Sequence, residues 1–144
     1  MLTKNNAMRK IRFFIYGLLG WCLEVFWTGF ESALKGDPRL SSHTYLWMFP
    51  IYGLAIFLEP VHNAMRSYHW FLRGVVWMLI IFTLEYFTGG AIRSLTGYSP
   101  WDYSGSSRWE INGLIRLDMA PLWFITGLLF EQIHDFLTNR LLIR

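Results

Sequence analysis

The chain has 144 residues, 53% of them hydrophobic and 19% aromatic but only 16% charged, and a mean hydropathy of +0.29. That balance excludes a soluble domain with a polar shell and indicates a small polytopic membrane protein. The net charge of +3 does not point to nucleic acid, because the basic residues flank apolar runs, the placement that sets membrane topology; the single cysteine, Cys22, excludes an internal disulfide and Cys-based zinc or iron–sulfur sites.

The expected fold is all-α: a four-transmembrane-helix bundle built from two similar helix pairs, with an outer aromatic loop cap, in one membrane domain covering 1–144. Lys4, Arg9, Lys10 and Arg12 ahead of Phe13 to Leu19 imitate a signal peptide, but no small-residue cleavage site follows and the apolar run continues past Glu24. The first span is therefore retained, over about 11–34. Its Glu24 face carries Gly17, Gly20, Trp21, Thr28 and Glu31 at helical spacing, a small and polar stripe suited to a bundle interior, while Leu18, Leu23, Val25 and Phe26 point elsewhere. Gly36-Asp37-Pro38 ends it, and Ser41, Ser42 and His43 form a polar loop.

The second span covers about 48–66, with Pro50 in its first turn and Leu46-Trp47 as an interfacial anchor. Pro60, directly after Glu59, removes the hydrogen bond to the Ile56 carbonyl and predicts a kink beside the carboxylate. The third span covers about 70–95 and holds Glu85. The connection over about 96–119, rich in Gly, Ser, Trp and Tyr, is expected to fold over the bundle mouth as a cap carrying Trp101, Asp102, Tyr103 and Ser104. The fourth span covers about 120–138. His43 and His69 read as interfacial.

An internal repeat links the halves. Leu23-Glu24-x-Phe26-x-x-Gly29 through Leu34-x-Gly36 matches Leu84-Glu85-x-Phe87-x-x-Gly90 through Leu95-x-Gly97, and the segment from Pro50 to His62 matches that from Pro121 to His134 with one inserted residue. Even numbers of spans per half imply copies of the same orientation. Every span owns one glutamate, and the order Glu24, Glu59-x-x-His62, Glu85, Glu131-x-x-His134 is the ligand pattern of di-iron and di-manganese carboxylate bundles. Counted from the outer helix ends, the four glutamates fall about ten residues deep, which predicts one layer roughly 15 Å inside the membrane.

A charged carboxylate in hydrocarbon costs at least about 2.5–3.5 kcal/mol, so such a layer needs compensation. A pair of Fe or Mn ions with His62 and His134 as nitrogen donors would supply it. So would protonation of a coupled cluster that moves protons or cations, or hydrogen bonding to Trp, Tyr, Thr and backbone groups in a merely structural role. A b-type haem between His62 and His134 leaves the glutamates unexplained. Ser104 and Asp102 lack an obvious histidine for nucleophilic hydrolysis. The absence of a phosphate-cradling glycine motif assigns any ATP hydrolysis to a separate subunit.

At Pro50-Ile51-Tyr52-Gly53, Glu85-Tyr86, Trp101-Asp102-Tyr103-Ser104 and Asn112-Gly113-Leu114-Ile115-x-Leu117 the chain resembles the bacterial CmpB-type family classed with ABC-transporter permeases, and related small four-span animal membrane proteins. The likeness covers nearly the whole chain, with the Trp-Asp-Tyr-Ser segment its most specific part. It implies a polytopic membrane protein linked to transport. The animal relatives keep glutamates like these four but not both histidines, which implies a role for the carboxylates that does not always need metal.

The sequence thus supports a transporter-like or ion-handling component of the cell membrane, with a di-metal membrane oxidoreductase as the alternative and a structural or accessory subunit as the third reading. The lipid bilayer is its medium, and a second copy or a separate subunit its expected partner. Lys4, Arg9, Lys10, Arg12, Arg66, Arg73, Arg140 and Arg144 on one side outnumber Lys35, Arg39, Arg93, Arg108 and Arg116 on the other, which places both termini in the cytoplasm. A cysteine introduced at Ser106 should accordingly react with an impermeant thiol reagent applied to intact cells, and one at Asn5 should not. The opposite labelling pattern would invert the orientation.

Overall fold

In a computed structural model, which describes residues 2–141, the chain divides into two compact units, Met1–Val61 and His62–Arg144. Arg144, one of the charges counted for orientation, lies outside the described residues. Unit 1 is organised by helix α1 (Leu2–Leu34). It begins nine residues before the predicted span because no glycine or proline interrupts the polar stretch from Thr3 to Lys10. It ends where predicted: Gly36 adopts a left-handed conformation (φ 82°), and Asp37 gathers the Ser32 hydroxyl and the amides of Arg39 and Ser41. Hydrogen bonds from Ser41, Arg39 and Ser32 pull the Asp37 carboxyl down to about 2.

The second predicted span is not one α-helix. Helix α2 (Met48–Gly53) passes into a 3₁₀ stretch, Leu54–Leu58, before helix α3 (Glu59–Met65) resumes. The proline that predicts a kink is the physical cause: Pro60 has no N–H to close an α-turn on Ile56, and the chain tightens ahead of it. In unit 2, helix α4 (Trp70–Thr96) is capped at its start by the His69 side chain, which accepts from the Phe71 amide, and closed at its end by Gly97 (φ 76°). His69 is therefore a helix cap. Helix α5 (Ala120–Phe136) runs on into a π-helical turn, Leu137–Leu141.

Among the described residues two helices, Asn6–Leu34 and Trp70–Thr96, are long and apolar enough to cross a membrane. The second and fourth expected spans fall short of that standard by themselves, one because it is broken into three pieces and the other because its α-helical part is 17 residues long. The faces of α1 follow the predicted stripe: Gly17 and Gly20 lie against Phe49 and Tyr52, whereas Leu18, Val25 and Phe26 are exposed.

Among the described residues the cap contains the one departure from an all-α fold, an antiparallel hairpin of β1 (Glu110–Ile111) and β2 (Ile115–Arg116). Asn112 (φ 55°) and Gly113 (φ 68°) turn it, and the Leu114 amide closes the turn on the Ile111 carbonyl at 3.0 Å. Two consecutive left-handed residues are what a tight hairpin demands, and Asn-Gly is the pair that best supplies them. A Cβ on Gly113 would also overlap the Ser104 hydroxyl and the Asp102 carboxylate.

Close helix approach in unit 1 depends on Gly20, where a Cβ would overlap the root of the Tyr52 ring; at Gly90 of unit 2 the nearest atom would stand 3.7 Å away. Gly20→Ala should therefore lose about 1–3 kcal/mol to overpacking, and Gly90→Ala should be neutral or slightly stabilising. Thermal unfolding of the two variants in one detergent compares them directly.

Candidate functional site

Each unit sets a buried glutamate against an arginine and an aromatic residue four positions apart on the preceding long helix. In unit 1, Arg12 on α1 donates to both oxygens of Glu59 (2.7 and 3.0 Å), and the Tyr16 hydroxyl donates to Oε1 at 3.2 Å. In unit 2, the Trp77 indole N–H on α4 donates to Glu131 Oε1 at 2.7 Å, and Arg73 Nη2 stands 3.4 Å from Oε2. Sixty-one residues separate Arg12 from Arg73 and Tyr16 from Trp77, the same offset that relates Glu24 to Glu85. The packing beside these groups repeats in exchanged form: Phe13 fills the space left by Gly53 in unit 1, and Phe124 fills the space left by Gly74, the counterpart of Phe13, in unit 2. A guanidinium on a carboxylate is the strongest neutral-pH answer to desolvation, because it supplies full charge and directional donors together.

The single layer of four glutamates divides into two levels within each unit. Glu59 meets α1 at Arg12 and Tyr16, whereas Glu24 sits eight residues beyond Tyr16, about 12 Å further along the axis, where it accepts from the Thr44 hydroxyl at 2.6 Å. Glu131 meets α4 at Trp77, and Glu85, again eight residues on, accepts from the Tyr103 hydroxyl at 3.0 Å. The cause lies in the connections. Segment 41–47 does not stay level with the end of α1 but runs back along it: Thr28 is bonded to His43, Glu24 to Thr44, and the Trp21 indole to the Tyr45 carbonyl. Pro50 and Pro121 therefore do not mark the same depth as Leu34 and Leu95, and counting from them misplaces the carboxylates.

The cap returns along α4 in the same manner. Trp101 is buried against Gly89 and donates to the Leu114 carbonyl at 2.9 Å; Tyr86 accepts from the Asn112 amide, and Arg93 donates to the Asn112 carbonyl. Asp102 accepts from the Ser104 amide at 2.9 Å, and its hydrogen bonds to Ser104 hold its carboxyl below the usual range. That Asp–Ser pair is a turn, not a nucleophile and its base. The motif segments Glu85-Tyr86, Trp101 to Ser104 and Asn112 to Leu117 thus form one contact set.

These segments and the helices between them decide the family. Residues 11–144 match the family described as Putative ABC-transporter type IV. The chain belongs to that family. With two helices of spanning length it is a membrane protein related to ABC transporters. No solved structure matches the chain.

Of the six residues singled out in the sequence, the structure brings His62, Glu131 and His134 together, all in unit 2 and all between 2 and 4% exposed. Asp135 joins them. His62 Nε2 stands 3.0 Å from Asp135 Oδ1, His62 Nδ1 stands 3.5 Å from Glu131 Oε1, and the His62 and His134 rings meet edge to face with centroids 5.1 Å apart. That contact leaves no slot for a macrocycle, so a haem between the two histidines does not fit. The di-metal ligand set is not assembled within either unit either: Glu24 and Glu85 lie on other levels, and both Glu59 oxygens are taken by Arg12.

Arg12, Arg73, Tyr16, Trp77 and Asp135 were not legible as site residues from the pattern of glutamates. Arginines at span ends read as topology signals, although extending the repeat upstream of Glu24 and Glu85 aligns both arginines and both aromatics. Arg12→Gln should destabilise the protein by about 3–5 kcal/mol, since it removes the charge partner of a buried carboxylate, and adding Glu59→Gln should restore most of the loss. Additive effects in this double-mutant cycle, followed by thermal unfolding, would show that the two residues do not depend on each other.

Proposed function

We propose that the chain is a transporter-type, cation-handling membrane component with four spans built from two similar helix pairs and both termini cytoplasmic. The observation that carries this reading is the line of groups in unit 2 that links a sequestered carboxylate to the surface. Glu131 is 3% exposed at its side chain, His62 lies between it and Asp135, and the Asp135 side chain is 34% exposed. Ionisable groups inside a membrane helix are expensive and mark ion pathways far more often than the helix exterior. Arg73 and Trp77 hold the buried end, and Arg66 holds the exposed end through Asp135. The matched Arg–aromatic–Glu arrangement in unit 1 supports the two-copy design. Family membership supports the transport class, and without a phosphate-cradling glycine motif in its sequence the chain would leave any ATP hydrolysis to a separate subunit.

Purified protein reconstituted in liposomes should pass a cation down its gradient, read with trapped pH-sensitive and metal-sensitive dyes. Glu131→Gln should reduce that flux at least tenfold while the protein remains folded. A tight bilayer with wild-type protein, and a Glu131→Gln variant altered only in melting temperature, would make the cluster a structural fastening.

A further inference from the structure

We propose that unit 2 binds one divalent transition-metal ion through His62, His134 and Asp135, with Glu131 orienting His62. The proposal names the cation for the reading above and rests on that reading for its role. One ligand atom from each of the three residues lies within 4.8 Å of the others. The 3.0 Å between His62 Nε2 and Asp135 Oδ1 is close to the roughly 3.0–3.5 Å expected between two ligands that each sit about 2.0–2.2 Å from a shared ion. The two imidazole rings stand at 78° to each other with centroids 5.1 Å apart, which brings both histidines to one site.

His62 carries the strongest sign. It is 2% exposed and its Nδ1 has no hydrogen-bond partner, yet the Glu131 carboxylate lies 3.5 Å from that atom. A metal on Nε2 fixes the ring proton on Nδ1 and directs it at Glu131, which completes the carboxylate–histidine–metal arrangement common behind ligating imidazoles. Glu131 is itself fixed by Trp77 and Arg73. Two imidazoles and one carboxylate favour zinc, iron or a neighbouring first-row ion over magnesium or calcium, and three protein ligands leave a coordination position for water or an incoming group.

Asp135 has another claimant. Arg66 donates to both of its oxygens, but the Arg66 side chain is 45% exposed. An incoming metal ion and the Arg66 guanidinium therefore compete for one carboxylate. That competition separates a metal site from a fixed salt bridge.

The untagged full-length protein in detergent, titrated with Co²⁺, tests the assignment. One equivalent should bind with a visible absorption band. His134→Gln and Asp135→Asn should each weaken binding at least tenfold, and Glu131→Gln roughly 10–100-fold, the usual effect of losing an orienting partner. Arg66→Gln should tighten binding several-fold, a gain that misfolding cannot produce. No Co²⁺ bound by the wild type below millimolar concentration, two equivalents bound, or affinity indifferent to both Asp135→Asn and Arg66→Gln would each overturn the site. Binding without liposome flux would keep the site and remove the transport reading. Flux without Co²⁺ binding would remove the site alone.

Discussion

The structure depends on how buried glutamates are held between apolar helices. Each of Glu59 and Glu131 meets an arginine and an aromatic donor presented one turn apart by the long helix before it. The arrangement fixes the register of α1 against the chain that carries Glu59, and of α4 against α5, because sliding either helix by one residue would swing the guanidinium off its carboxylate. Small residues then let the backbones approach: Gly20 beneath Tyr52, and Gly127 beneath Trp77. Charge sets the alignment and close packing holds it, as expected where lipid offers no hydrophobic drive for helices to associate.

A second constraint follows from the unequal length of the helices within each unit. The C-terminal thirds of α1 and α4 extend past their partners and would leave Glu24 and Glu85 exposed to lipid. The connections fold back to cover them. Thr44 reaches Glu24, and Tyr103 reaches Glu85 while Trp101 wedges against Gly89. The cap is thus the lining of a helix surface that α5, in the same unit, does not cover, which explains why a connection of that length holds so many aromatic residues and so specific a hairpin.

The two long apolar helices, the inward stripe of α1 and the effect of Pro60 were legible because they rest on local composition and periodicity. The depth of the glutamates was not, since no local pattern says that a polar connection will run back along a helix. The arginines were hidden by their second use: a positive charge near a span end sets orientation whether or not it also reaches inward to a carboxylate. Asp135 was hidden by adjacency, because a helical residue next to His134 points about 100° away and belongs to the site only through the ring of His62. The hairpin has a readable Asn112-Gly113 signal, but it lies within a segment whose Gly, Ser, Trp and Tyr content reads as a single cap.

Arginine stands against both deep glutamates, Arg12 on Glu59 and Arg73 on Glu131. Infrared difference spectroscopy of Glu59→Gln and Glu131→Gln against the unaltered protein at neutral pH tests that pairing most directly, since carboxylate and carboxylic acid absorb in separate regions. The account predicts the loss of carboxylate bands alone in both variants. Loss of a carboxylic-acid carbonyl band in either would show that the glutamate is protonated and that its arginine does not neutralise it.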